Sequence, residues 1–82
     1  MTTKKEKEER RKVILSVIDE QLRHDDPKEV GLTLRRLMDN GYTEAEAKEK
    51  IAYVLVEEIY DVLKQNTPYN EERYASRLKQ LK

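Results

Sequence analysis

The stretch that decides the fold is residues 51–65, IAYVLVEEIYDVLKQ. Its first six residues are apolar, and Tyr53, Val54 and Val56 would also suit a strand. Strong helix formers flank this run without any turn signal, so we predict a helix that runs to about Gln65. Taking about 100° per residue, its apolar side chains cover an arc of roughly 200°, which Tyr53 and Tyr60 extend. So wide an apolar face is typical of a helix buried on more than one side, so this helix is the central one.

Further helices are predicted on both sides of this segment. Apolar residues spaced by three and four predict one helix from about Lys5 to His24 and a second one up to Asn40–Gly41. A short fourth helix follows Thr67–Pro68, with Asn70 as its cap and Tyr74, Leu78 and Leu81 as its apolar stripe. The connections are short, as in a compact helical bundle.

Capping signals support these boundaries. Asp26-Pro27-Lys28-Glu29 predicts that Asp26 caps the second helix in a capping box with Glu29. Gly41 suits a left-handed position after that helix, where Tyr42 folds back onto Leu37 in a Schellman turn. A second capping box, Thr43 with Glu46, begins the central helix.

These signals predict an all-α fold, a small bundle of three main helices plus a short C-terminal helix, with the third helix central. The chain has 82 residues with only two glycines and two prolines, which favours helices over a turn-rich β fold. Residues 1–10 are predicted to be a charged, partly frayed N-terminal segment, and residues 11–82 a single helical domain.

Composition excludes several function classes. The chain has no cysteine, so disulfides, thiolate nucleophiles and cysteine-based metal sites are excluded. The apolar run 51–56 is far shorter than the roughly 20 residues of a membrane span. The N-terminus is charged from Lys4 onward, unlike a signal peptide, so we predict a cytoplasmic protein without membrane contact.

The sequence carries no recognisable catalytic set. His24 is the only histidine, and His24-Asp25-Asp26 is either a metal or acid–base site or, as we favour, the end of a helix whose dipole favours the charged imidazole. We find no Gly-rich phosphate loop and no serine in a nucleophile motif. We therefore predict a protein that is not an enzyme, with no cofactor, metal or small-molecule ligand.

Two polar residues fall inside predicted apolar stripes. Gln21 projects between Val17 and Ile14, and Glu58 projects between Val54 and Ile51. We interpret Gln21 and Glu58 as a core polar pair that serves either helix register or a ligand in a groove between helices. Because a buried carboxylate is costly unless it is paired, Glu58 needs a partner, for which the candidates are Arg35, Arg36, Arg77 and a tyrosine hydroxyl.

The apolar arc of the third helix is wider than three short partners can cover. An exposed apolar surface of that kind usually marks a partner site. We therefore predict a non-enzymatic protein-interaction module that binds a protein partner or itself, as a homodimer. Its candidate interaction surface consists of Leu32, Tyr53, Val56, Tyr60 and Leu63.

The charge pattern leaves nucleic-acid association as the alternative. Residues 1–12 hold six basic and three acidic side chains, residues 13–66 seven and twelve, and residues 67–82 four and two. The basic residues of the two ends are Lys4, Lys5, Lys7, Arg10, Arg11 and Lys12, with Arg73, Arg77, Lys79 and Lys82. The total charge is zero, whereas polyanion binders usually carry a basic excess, which argues against nucleic acid as the partner.

Part of the pattern is similar to a known group of domains. Residues 17–22 (VIDEQL), 25–27 (DDP) and 34–47, with Leu34, Leu37, Gly41-Tyr42 and Glu46-Ala47, resemble small bacterial all-helical domains of unknown function. Such relatives often carry histidines in helix one and early in helix three, where this chain has Ser16, Asp19 and Lys48-Glu49-Lys50. The resemblance implies a helical fold and transfers no activity.

Overall fold

The computed structural model describes residues 3–82, which form four helices. These are α1 (Lys4–His24), α2 (Lys28–Asp39), α3 (Glu44–Gln65) and α4 (Glu71–Lys79), and residues 3–82 contain no strand. The helices pack against each other, which confirms the predicted all-α bundle. The central helix α3 contacts each of the other three helices, and α2 does so as well.

The core lies where α3 meets its neighbours. Its buried apolar residues are Ile18 from α1, Val30 and Leu37 from α2, Ala47, Ile51, Val54 and Leu55 from α3, and Tyr74 and Leu78 from α4. The two longest helices, α1 and α3, thus contribute very unequally to the core. Of the 21 residues of α1, Ile18 alone is fully buried. The contacts of α1 with α2 and α3 are therefore made largely by partly buried side chains, such as Ile14 and Leu22.

The predicted caps of α3 and α4 are confirmed. The Glu46 backbone N–H donates to the Thr43 hydroxyl at 3.1 Å, and the Thr43 N–H donates to the Glu46 carboxylate at 2.9 Å. The pKa of Glu46 is lowered, chiefly because the Thr43 N–H donates to its charged carboxylate. At α4, the Arg73 N–H donates to Oδ1 of Asn70 at 3.0 Å.

The turn between α2 and α3 also follows the prediction. Gly41 has a φ of 104°, a value that side-chain-bearing residues rarely adopt. The Tyr42 N–H donates to the Leu37 carbonyl at 3.1 Å, and the Gly41 N–H donates to Met38 at 3.0 Å. These two bonds are those of a Schellman motif.

The predicted capping box of Asp26 with Glu29 is wrong. Pro27 is the residue that precedes α2, with extended backbone angles (φ −73°, ψ 147°), and α2 has no side-chain cap. Asp26 instead belongs to the end of α1, where its N–H donates to the Gln21 carbonyl at 3.1 Å and Asp25 is left-handed (φ 52°). Because Pro27 is extended, α2 starts at Lys28, and Asp26 lies one residue before the N-cap position.

Helix α1 begins within the charged N-terminal segment. Thr3 and Glu6 form a capping box that begins α1 at Lys4, and α1 continues without a break past residue 10. Residues 4–10 are therefore the exposed first turns of α1 in this structure, whereas residues 1–2 lie outside the described part of the chain. The Thr-x-x-Glu spacing of these two residues is the sequence signature of a capping box at a helix N-terminus.

Two threonines allow a matched test of buried and capping hydroxyls. Thr33 is fully buried, and its hydroxyl has no hydrogen-bond partner within residues 3–82. We expect Thr33→Val to raise the free energy of unfolding by about 1 kcal/mol, because an unpaired buried hydroxyl is replaced by a methyl group. Thr43→Val removes a capping hydroxyl and should lower the free energy of unfolding by about 1 kcal/mol. Urea unfolding followed by circular dichroism measures both, and a loss of stability in Thr33→Val would contradict this assignment.

Candidate interaction surface

A cleft of about 750 Å³ opens between the first half of α1 and the middle of α3. Its floor and walls are apolar, formed by Val13 and Ile14 of α1 and by Ala52, Tyr53, Val56 and Ile59 of α3. Charged residues lie around it, namely Glu6, Glu9, Arg10 and Arg11 on α1 and Glu49 on α3. Exposed apolar surfaces with polar rims mark protein-, membrane- or ligand-binding sites.

The cleft lies beside the exposed first half of α1. Every residue from Lys4 to Val13 is exposed, whereas Ile18, further along the same helix, is fully buried. Ion pairs hold α1 on α3, since Arg11 pairs with Glu49 and Lys48 Nζ lies 2.9 Å from Asp19 Oδ1. The hydrogen bond with Asp19 raises the pKa of Lys48.

The four predicted surface residues on α3 are exposed. The exposed fraction is 67% for Tyr53, 47% for Val56, 60% for Tyr60 and 76% for Leu63. They lie along one side of α3, and Tyr60 and Leu63 continue that side beyond the cleft. Leu32 is 55% exposed, but it lies on α2 and does not line the cleft.

Two residues of this surface were missed by sequence reasoning. Val13 is 61% exposed and Ile59 is 40% exposed, and both line the cleft. Their apolar character and helical spacing predicted core positions, since no local signal shows that the first half of α1 is exposed. We define the α1–α3 surface as Val13, Tyr53, Val56, Ile59, Tyr60 and Leu63.

Glu58 is fully buried and ion-paired with α4. Arg73 donates from Nε to Oε2 at 2.8 Å and from Nη2 to Oε1 at 2.7 Å, a bidentate arrangement. The Asn70 N–H donates to Oε1 at 3.3 Å, and Arg77 Nη1 lies 3.6 Å from Oε2. These contacts lower the pKa of Glu58, chiefly through the Arg73 hydrogen bonds, against the opposing effect of burial.

The predicted partners of Glu58 were only partly right. Arg77 is a partner, although it pairs more closely with Asp61, and the main partner Arg73 was not among the candidates. Arg36, one of the predicted partners, instead donates to the backbone carbonyls of Leu78 at 2.8 Å and Leu81 at 3.1 Å. Arg36 thereby holds the C-terminal end of α4.

Gln21 and Glu58 are polar residues at core positions, but they do not share a partner. The Tyr74 hydroxyl donates to Gln21 Oε1 at 3.0 Å, while Glu58 binds Arg73 and Asn70. Burial raises the pKa of Tyr74, which keeps its hydroxyl protonated as a donor. Both polar residues therefore attach α4 to the bundle by separate contacts.

His24 lies at the end of α1, as predicted, and away from these contacts. Its Nε2 is 3.3 Å from Glu20 Oε2, and the side chain is mostly exposed. His24, Gln21 and Glu58 therefore each contact a different protein group. In the part of the chain that the structure describes, no group of three or more histidine, aspartate or glutamate residues is placed to hold a metal ion.

Several basic residues of the two chain ends are engaged within the molecule. Arg73 and Arg77 bind Glu58 and Asp61, and Arg11 binds Glu49. Lys79 Nζ is 3.9 Å from Glu29 Oε1. These ion pairs reduce the positive charge that the C-terminal end presents to a polyanion.

No protein-family model matches the chain, and no curated protein or solved structure is significantly similar to it. The resemblance to small bacterial helical domains therefore stays a prediction. None of the four described helices is long and apolar enough to cross a membrane.

Glu58 generates a prediction for stability and its pH dependence. Glu58→Gln should lower the free energy of unfolding at pH 7 by about 3 kcal/mol, the low end for breaking a buried ion pair, because Arg73 is 30% exposed and can turn to water. Since the folded-state pKa of Glu58 is lowered, its contribution is present above the ordinary value of 4.5 and is lost as the pH falls through the folded-state value. Urea unfolding at one protein concentration across a pH series measures this.

The control is Glu72→Gln, since Glu72 is an exposed glutamate on α4 and lies outside the α1–α3 surface. We expect it to stay within about 0.5 kcal/mol of the wild type at every pH. Equal effects of the two substitutions would contradict a structural role for the Glu58–Arg73 pair.

Proposed function

We propose that this protein is a non-enzymatic helical interaction module that self-associates as a homodimer through the α1–α3 surface. The observation that carries the proposal is the continuous exposure of large apolar side chains on α3 beside an apolar cleft. Their removal from water on association is favourable in proportion to the apolar area buried.

The total surface of the chain supports association. A compact monomer of 9.8 kDa is expected to expose about 5,200 Å². This chain exposes 6174 Å², roughly 1,000 Å² more. A stable protein–protein interface buries about 800 Å² on each partner, so the excess is of the size that one interface removes.

The shape and charge of the surface favour a second copy as the occupant. The apolar side of α3 runs from Tyr53 past the end of the cleft to Leu63, a length that suits another helix. The rim carries both signs of charge, with Glu6, Glu9 and Glu49 beside Arg10 and Arg11. A surface with mixed charge can be complementary to itself across a two-fold axis.

The compartment is part of this proposal. A cysteine-free chain is compatible with a reducing environment, and we place the module in the cytoplasm.

Self-association is tested by one substitution within the surface and one outside it. Val56→Lys places a charge in the centre of the α1–α3 surface and should convert a dimer to a monomer at micromolar concentration. Leu32→Lys makes the same change at an exposed apolar residue of α2 and should leave the dimer intact. Sedimentation equilibrium measures the mass, and circular dichroism confirms that both variants remain helical.

A wild-type chain that stays monomeric at hundreds of micromolar would overturn the proposal. A dimer lost in Leu32→Lys and kept in Val56→Lys would move the interface to α2, where the sequence also predicted a contact.

A further inference from the structure

The exposed residues of α3 repeat with the spacing of a helix–helix seam. Tyr53, Val56, Tyr60 and Leu63 are separated by three, four and three residues, which is the a and d spacing of a heptad. All four are exposed, so this seam is additional to the buried face that α3 presents to the core. Such a seam fits another helix of the same kind.

Charged residues flank only one side of this seam. On that side, at the e positions, lie Lys50, Glu57 and Lys64, while the other side has Ala52 and Ile59 next to α1. In a parallel pair the charged side of one helix meets the apolar side of the other, and the charges stay unpaired. In an antiparallel pair the charged sides face each other, which favours the antiparallel orientation.

The order of the charges selects the register. Pairing over the full seam would bring Glu57 next to Glu57 of the second copy, and Lys50 next to Lys64 of the second copy, and both contacts are repulsive. A shift that centres the two-fold axis between Tyr53 and Val56 instead places Lys50 opposite Glu57 of the second copy. By symmetry this contact forms twice.

The position of the cleft agrees with that register. The α3 residues that line it run from Glu49 to Ile59, so the middle of the cleft lies between Tyr53 and Val56. A second α3 centred there would lie against its counterpart and beside Val13 of α1. The register that pairs Lys50 with Glu57 thus coincides with the cleft, and it places Tyr60 and Leu63 opposite Glu49 and Glu46 of the second copy.

Building on the self-association proposed above, we infer that the homodimer is formed by antiparallel α3 helices centred between Tyr53 and Val56. The α1 helices flank this pair, giving an interface of four helices. Lys50 and Glu57 are its positioning residues. In the single chain the Lys50 Nζ lies 4.8 Å from the centre of the Tyr42 ring, a contact that the ion pair with Glu57 would replace.

Charge reversal tests the register at low ionic strength, where ion pairs are least screened. We expect Glu57→Lys and Lys50→Glu each to raise the dimer dissociation constant by about tenfold, because two attractive contacts become repulsive. The double variant restores both attractions and should return to within about threefold of the wild type. Lys64→Glu is the matched control and should leave the constant unchanged. Sedimentation equilibrium gives the five dissociation constants, including that of the wild type.

The outcomes separate the two proposals. A dimeric wild type in which the double variant is as weak as the single variants overturns this register. Tighter association of Lys64→Glu indicates the full-overlap register and also overturns it. A monomeric wild type instead overturns the self-association itself.

Discussion

The whole structure depends on the apolar arc of α3, which is wider than the rest of the chain can cover. One part of the arc, Ile51, Val54 and Leu55, forms the core with the other three helices. The adjoining part stays exposed, because α1 meets α3 across an open cleft and α4 packs on the Glu58 side of α3. A chain of 82 residues buries only roughly 60–65% of its unfolded surface, so a second apolar side on one helix is a large excess.

Polar contacts determine which side of α3 is covered. The nine-residue helix α4 is too short to be stable alone, and it is attached by the Glu58–Arg73 pair, by the Tyr74–Gln21 hydrogen bond and by Arg36 at its C-terminal end. Each of these contacts has a defined direction, unlike apolar packing. They hold α4 over one side of the arc and thereby leave the opposite side to solvent or to a partner.

Local signals predicted most of the fold, whereas long-range contacts had to come from the structure. The capping bonds of Thr43 and Asn70 join residues three apart, and the turn at Gly41 is equally local. Sequence spacing was therefore enough to predict these roles. Asp26 failed as a cap because the backbone angles of Pro27 shifted the helix start by one residue. Arg73 lies 15 positions after Glu58, and no pattern distinguishes it from the other arginines. Val13 was misjudged for the same reason, since only the packing of α1 decides whether that face is covered.

In a monomer, the α1–α3 surface exposes apolar side chains to water, which is unfavourable. If α3 pairs with α3 of a second copy, the same side chains form the core of a four-helix interface. The most direct test is a concentration series of amide spectra of the uniformly ¹⁵N-labelled chain. The account predicts concentration-dependent shifts at residues 6–17 of α1, at residues 49–63 of α3 and at Tyr42, whose ring loses its contact with Lys50. The amides on the outer side of α2, around Leu32, stay unchanged. Spectra that are identical from micromolar to millimolar protein, or shifts centred on Leu32, would contradict it.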